Sequence, residues 1–195
     1  MATYTPHILR ETSAGLFAYA IEDEMLQDRE IELVGPIDSD LVNSLVRQLR
    51  YLRKEDENGE ITMFINSPGG EVSSGLALYD AMRAIGCPIR TVCMGMAASM
   101  AALIFMSGDQ RDMLEHSRVM IHDPLIAGHG ITGSALSVQA AADDLMRVRE
   151  LTGEVIAKHS GKTLEEVYAL TAKDTYLEAQ AAIDLRIADR IIHQL

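Results

Sequence analysis

Short apolar runs with a two-residue beat alternate along this chain with longer stretches whose apolar residues return every three or four positions. Residues 30–34, 61–65 and 89–94 read as strands, and residues 40–53, 72–85 and 98–106 as the helices that follow them. In the first helix Leu41, Leu45, Leu49 and Leu52 share a face, and in the second Val72, Leu76, Tyr79 and Met82 do. One apolar stripe per helix, repeated after each strand, predicts a βαβ series packed on a parallel sheet. Two further extended pieces, 111–115 and 118–122, precede a Gly-rich loop at 126–133. A long helical pattern then covers 134–158, with Leu136, Val138, Leu145, Val148, Leu151, Val155 and Ile156 predicting a helix that projects and packs against something, and Gly153 a weak point inside it. Thr163 with Glu166 three residues on is a capping box. An amphipathic turn at 177–185 leads into a strand-like 188–192.

With 195 residues, 48% of them hydrophobic, the chain predicts one sizeable core and a single domain. Its formal net charge of −12, with no run of Lys or Arg, excludes a nucleic-acid backbone as the main partner. Residues 91–108 carry no charge, but Gly95, Ser99, Ser107 and four alanines dilute that stretch, and a strand, turn and helix use the same residues, so no membrane span is expected. The first fifteen residues lack an apolar signal core, and Cys87 and Cys93 match no zinc spacing, so reduced thiols in the cytoplasm are expected.

Met94 to Ala102 reads MGMAASMAA, with one serine at the mouth of a helical pattern. Gly95 predicts the turn that would present Ser99 at a strand-to-helix corner, where unpaired N–H groups can face an oxyanion. A serine there is most often only an N-cap, so it needs partners. His122 ends an apolar strand, the place where α/β folds present functional side chains, although an edge histidine can equally be a satisfied structural residue. A carboxylate should orient it: Asp123 is adjacent but falls on the opposite face, whereas Asp174, at a helix-to-loop junction, can return to the strand ends or be a plain loop aspartate. Asn66-Ser67-Pro68-Gly69-Gly70 closes the second strand as a tight turn, and its glycine N–H groups can add an oxyanion donor to that of Met100.

Residues 64–80 (FINSPGGEVSSGLALYD), 93–102 (CMGMAASMAA) and 117–125 (SRVMIHDPL) together resemble the proteolytic subunits of the Clp protease, a family of ATP-dependent serine peptidases. The resemblance implies an α/β fold, the ClpP/crotonase-like superhelix of βαβ units with a projecting handle helix. It implies Ser99 as nucleophile, His122 as general base, Asp174 as orienting acid, and the N–H groups of Gly70 and Met100 as the oxyanion hole. Gly69, Leu125, Ile126 and Ala127 would hold substrate, the last three on a strand at 125–132 that pairs with the peptide's edge. One peptidase domain would fill 1–195, with 1–28 an N-terminal segment that gates an axial pore and 125–160 the handle region. The implied assembly is two stacked seven-membered rings, fed with unfolded proteins by an AAA+ unfoldase that uses the ATP; the subunit itself takes no cofactor or metal.

Several positions depart from the family pattern. Met96 and Asp123 stand for glutamines, Lys173 for an arginine and Ala172 for an acidic residue, substitutions that bear on how rings associate. Thr62 and Ala84 replace aromatics of the unfoldase-docking cleft, where Phe64 keeps one. Two rival readings remain: a silent structural subunit of a mixed ring, and a crotonase-type enzyme acting on acyl-coenzyme A, which needs no serine and histidine pair.

Overall fold

A computed structural model describes residues 6–13, 15–126 and 130–195. It opens with a hairpin, β1 (His7–Thr12) and β2 (Gly15–Ala20), paired antiparallel as a separate two-stranded sheet. Helix α1 (Ile21–Gln27) follows. The hairpin leaves no period in the sequence because it has no buried face: Leu9, Leu16 and Phe17 are exposed.

From there β3 (Glu30–Val34), α2 (Ser39–Glu55), β4 (Ile61–Ser67), α3 (Val72–Ala84), β5 (Ile89–Ala98) and α4 (Met100–Met106) realise the expected βαβ series. The chain continues through β6 (Gln110–Leu114), β7 (Arg118–Ile121), α5 (Ala135–Ser160), α6 (Leu164–Thr171), β8 (Thr175–Glu178), α7 (Ala179–Asp184) and β9 (Arg190–Ile192). The main sheet runs β3-β4-β5-β6-β9, all parallel, while β7 adds to β5 in parallel and β8 to β7 antiparallel. Parallel strands are expected where helices cover the sheet. Ile31, Leu33, Met63, Ile65, Cys93 and Met113 are buried on one face with Val42, Leu45, Leu49 and Leu52 of α2. In α3 the buried set is Leu78, Tyr79 and Met82 with Ser74 and Gly75, so Val72 and Leu76 sit at its margin rather than in its centre. Across the other face the register lines up Asp112 with Arg190 and Val92. There the buried Asp112 carboxylate accepts from Arg90 Nε at 2.6 Å and Arg190 Nε at 2.7 Å.

Two expectations change here. Gly95 is not the turn into a helix: β5 runs on to Ala98 and bulges there, its register with β4 jumping from Ile65↔Cys93 to Ser67↔Ala97. The bulge hands β5 from β6, paired at Arg90–Cys93, to β7, paired at Met96–Ala98. Residues 177–185 divide into the end of β8 and α7, because Leu177 pairs with Val119 of β7. Of the substrate strand expected at 125–132, residues 127–129 lie outside the described residues; Leu125 and Ile126 join no ladder among the described residues and are 61% and 42% exposed.

Helix α5 does project. Residues 135–140 are all exposed, and packing against the body begins near Val148. Gly153 serves as a contact rather than a weak point: a Cβ there would lie 2.9 Å from Leu164 Cδ1 and 3.0 Å from Tyr168 Cε1. The Thr163–Glu166 capping box forms as expected at the start of α6. No helix among the described residues is long and apolar enough to cross a membrane.

Candidate active site

Ser99 is the single residue between β5 and α4, and its backbone takes φ 55°, ψ −122°. A serine pays for such a geometry with roughly 1–3 kcal/mol, so the surroundings must impose it. They do so through the Ser99 N–H, which donates to the Met120 carbonyl at 2.8 Å, and through the Ser99 carbonyl, which accepts from Ala102 N–H at 3.0 Å. Its side chain makes no cap bond to α4. The hydroxyl instead lies 2.8 Å from His122 Nε2.

His122 follows the last residue of β7, and Asp174 precedes the first residue of β8. Because Ile121 pairs with Thr175 in an antiparallel ladder, the next pair outward is His122 with Asp174. His122 Nδ1 stands 3.5 Å from Asp174 Oδ1, at the outer edge of hydrogen bonding. The histidine side chain is 15% exposed and the aspartate 60%. Asp123 turns away, its carboxylate accepting from Arg149 Nε and Thr171 Oγ1, each at 2.6 Å.

The glycine turn packs against this corner. A Cβ on Gly69 would lie 2.7 Å from Ser99 Cβ and 2.6 Å from the Ala98 carbonyl oxygen, so only glycine at φ 87° lets β4 and β5 close here. Both main-chain groups of Gly69 are engaged, the N–H with Ser67 Oγ at 3.1 Å and the carbonyl with Ile37 N–H at 2.9 Å. These bonds and the close packing on Ala98 and Ser99 fix Gly69 at this corner. In the trans peptide that follows, the Gly70 N–H points opposite to the Gly69 carbonyl, away from Ile37 and toward the β5 side. Met100 opens α4, where the first N–H groups have no partner within the helix. Leu125 and Ile126 lie just beyond His122, and Ala127 lies outside the described residues. Among the described residues, no group of three or more His, Cys, Asp and Glu is placed to hold a metal ion.

A protein-family model described as Clp protease matches residues 13–195. The chain belongs to the Clp protease family. Membership accounts for the mixed α/β fold with its parallel sheet, and it makes the Clp protease chain a peptidase of Clp proteolysis. Sequence reading named Ser99, His122 and Asp174, and the fold brings these three together. It missed Arg149 and Thr171, which bind Asp123 behind His122 from α5 and α6, and Tyr168, whose ring lies under Arg149; no local motif marks them, because their contacts are long-range.

Proposed function

We infer that this Clp-family chain is a serine endopeptidase, with Ser99 as nucleophile, His122 as general base and Asp174 as its orienting acid. The observation that carries the reading is the 2.8 Å contact between Ser99 Oγ and His122 Nε2 at a corner where Ser99 caps nothing. His122 takes the hydroxyl proton as Oγ attacks a peptide carbonyl, and Asp174 stabilises the imidazolium. The N–H groups of Gly70 and Met100 receive the oxyanion. Collapse expels the amine with the proton from His122, and water then releases the acyl group by the same steps in reverse order.

Residues 125–126 would pair with the main chain of an unfolded substrate, which explains tolerance of sequence and places selectivity in restricted access. We assign that restriction to two stacked heptameric rings joined through the 125–160 region, gated by the N-terminal segment and fed in the cytoplasm by an AAA+ unfoldase that spends the ATP. Thr62 and Phe64 lie on the sheet face that carries Arg90, Asp112 and Arg190, so unfoldase docking there would be partly polar. The test is intact-mass measurement after a fluorophosphonate, beside Ser99→Ala. One adduct, absent from the variant together with peptide cleavage, is expected. An adduct of equal yield in Ser99→Ala, or peptide cleavage unchanged in it, would overturn the assignment.

A further inference from the structure

Arg149 sits where α5 leaves the body of the molecule, between the exposed residues 135–140 and the buried Gly153 and Ile156. Its Nε donates to Asp123 Oδ2 at 2.6 Å, and its guanidinium carbon lies 3.7 Å from the centre of the Tyr168 ring. The second oxygen of the same carboxylate accepts from Thr171 Oγ1 at 2.6 Å, and the Asp123 N–H donates to the Thr171 carbonyl at 2.8 Å. Asp123 is the residue after His122, and Thr171 lies three residues before Asp174. One carboxylate therefore joins the segment that bears the histidine, the segment that bears the acid, and the root of the projecting helix.

Charge-assisted bonds of this length are stronger and more directional than neutral ones. The span they brace needs it: His122 Nδ1 and Asp174 Oδ1 are 3.5 Å apart, where a displacement of a few tenths of an ångström makes or breaks a hydrogen bond. The geometry points to Asp123 and Arg149 as positioning residues that set the separation of His122 and Asp174, so that the competence of the site depends on how the root of α5 is seated. Neither touches the reacting atoms. The inference rests on the triad reading above, and it names the means by which a movement of the projecting helix reaches the nucleophile.

The test compares fluorophosphonate labelling rate, kcat and KM for a short peptide, and melting temperature in wild type, Arg149→Met, Arg149→Lys, Asp123→Asn and the double variant, at equal assembly by sedimentation. Arg149→Met and Asp123→Asn are each expected to slow labelling and kcat about tenfold with KM within about twofold, since small misplacements of catalytic groups act on the chemical step. Arg149→Lys should recover most of the rate, and the double variant should be no slower than the slower single one, because both break one linkage. A purely structural ion pair would lower the melting temperature and leave the labelling rate alone, and that outcome overturns the proposal. Should Arg149→Met disturb assembly, Thr171→Val removes one hydroxyl from the same carboxylate, and an unchanged rate there overturns it equally. Failure of the triad reading looks different: the wild type itself is unlabelled, or Ser99→Ala is labelled like it, and the proposal falls with that reading.

Discussion

Cys93, on β5, lies six residues before Ser99, yet the two side chains are held in opposite chemical conditions. The thiol is fully buried and is pushed up to about 11, chiefly by that burial, against weaker opposing hydrogen bonds from Ser117 and the main chain. A thiol so placed is almost wholly protonated at neutral pH and therefore a poor nucleophile. Iodoacetamide at about pH 8 should leave Cys93 unmodified in the folded protein and alkylate it after denaturation, as read by peptide mass; alkylation of the folded form would contradict the burial. At this scale the sequence could reveal Ser99 and His122, because the one stands at the mouth of an apolar helix pattern and the other ends an apolar strand. It could rank Asp174 above Asp123 only by alternation, because the deciding fact is the Ile121↔Thr175 pairing, and β8 is four residues long, too short to show a period. Turn patterns alone could not separate Gly69 from Gly70, which only the family resemblance assigned to different roles; in the fold Gly69 packs on Ser99 while Gly70 bridges to Ile37.

A polar contact ties the C-terminal end of α5 to α3. His159 Nε2 lies 3.0 Å from the Tyr79 hydroxyl, and the rings meet edge to face. Burial first, then the charges of Arg111, Lys158 and Arg83, lowers His159 from 6.5 to about 4. The folded protein thus resists a proton that the unfolded chain accepts readily. Stability from this source is complete above about 6.5 and is lost as pH falls from 6.5 toward 4. The melting temperature of wild type should therefore fall more steeply between about pH 7 and pH 5 than that of His159→Gln; equal slopes would show that another group governs the loss. Elements with a buried face, such as α2 and β4, were legible to within two residues of their ends. The hairpin β1–β2 was not, because a pattern of burial cannot mark an element that buries nothing.

Taken whole, the molecule is a parallel sheet whose order follows the chain from β3 to β6 and then departs from it. Helical and strand periods predicted the βαβ series, but nothing local announces that β5 serves two neighbours in turn through the bulge at residues 94–96. That handover carries Ser99 out of the main sheet to the β7 and β8 side, where His122 and Asp174 wait. Each copy also carries a net charge of −12, so copies repel at long range. Raising the salt from about 0.05 to 0.5 M shortens the Debye length severalfold and should favour assembly, as read by sedimentation; weaker assembly at high salt would show that specific ion pairs between copies outweigh the repulsion. Finally, α5 holds Leu136, Val138 and Met146 at 83%, 38% and 59% exposure. A lone chain thus emerges from synthesis with a sticky arm, and under the proposed ring assembly its fate would turn on crowding by its own kind: scarce copies would leave that arm open to chaperones, proteases and aggregates, while abundant ones would hide it in one another.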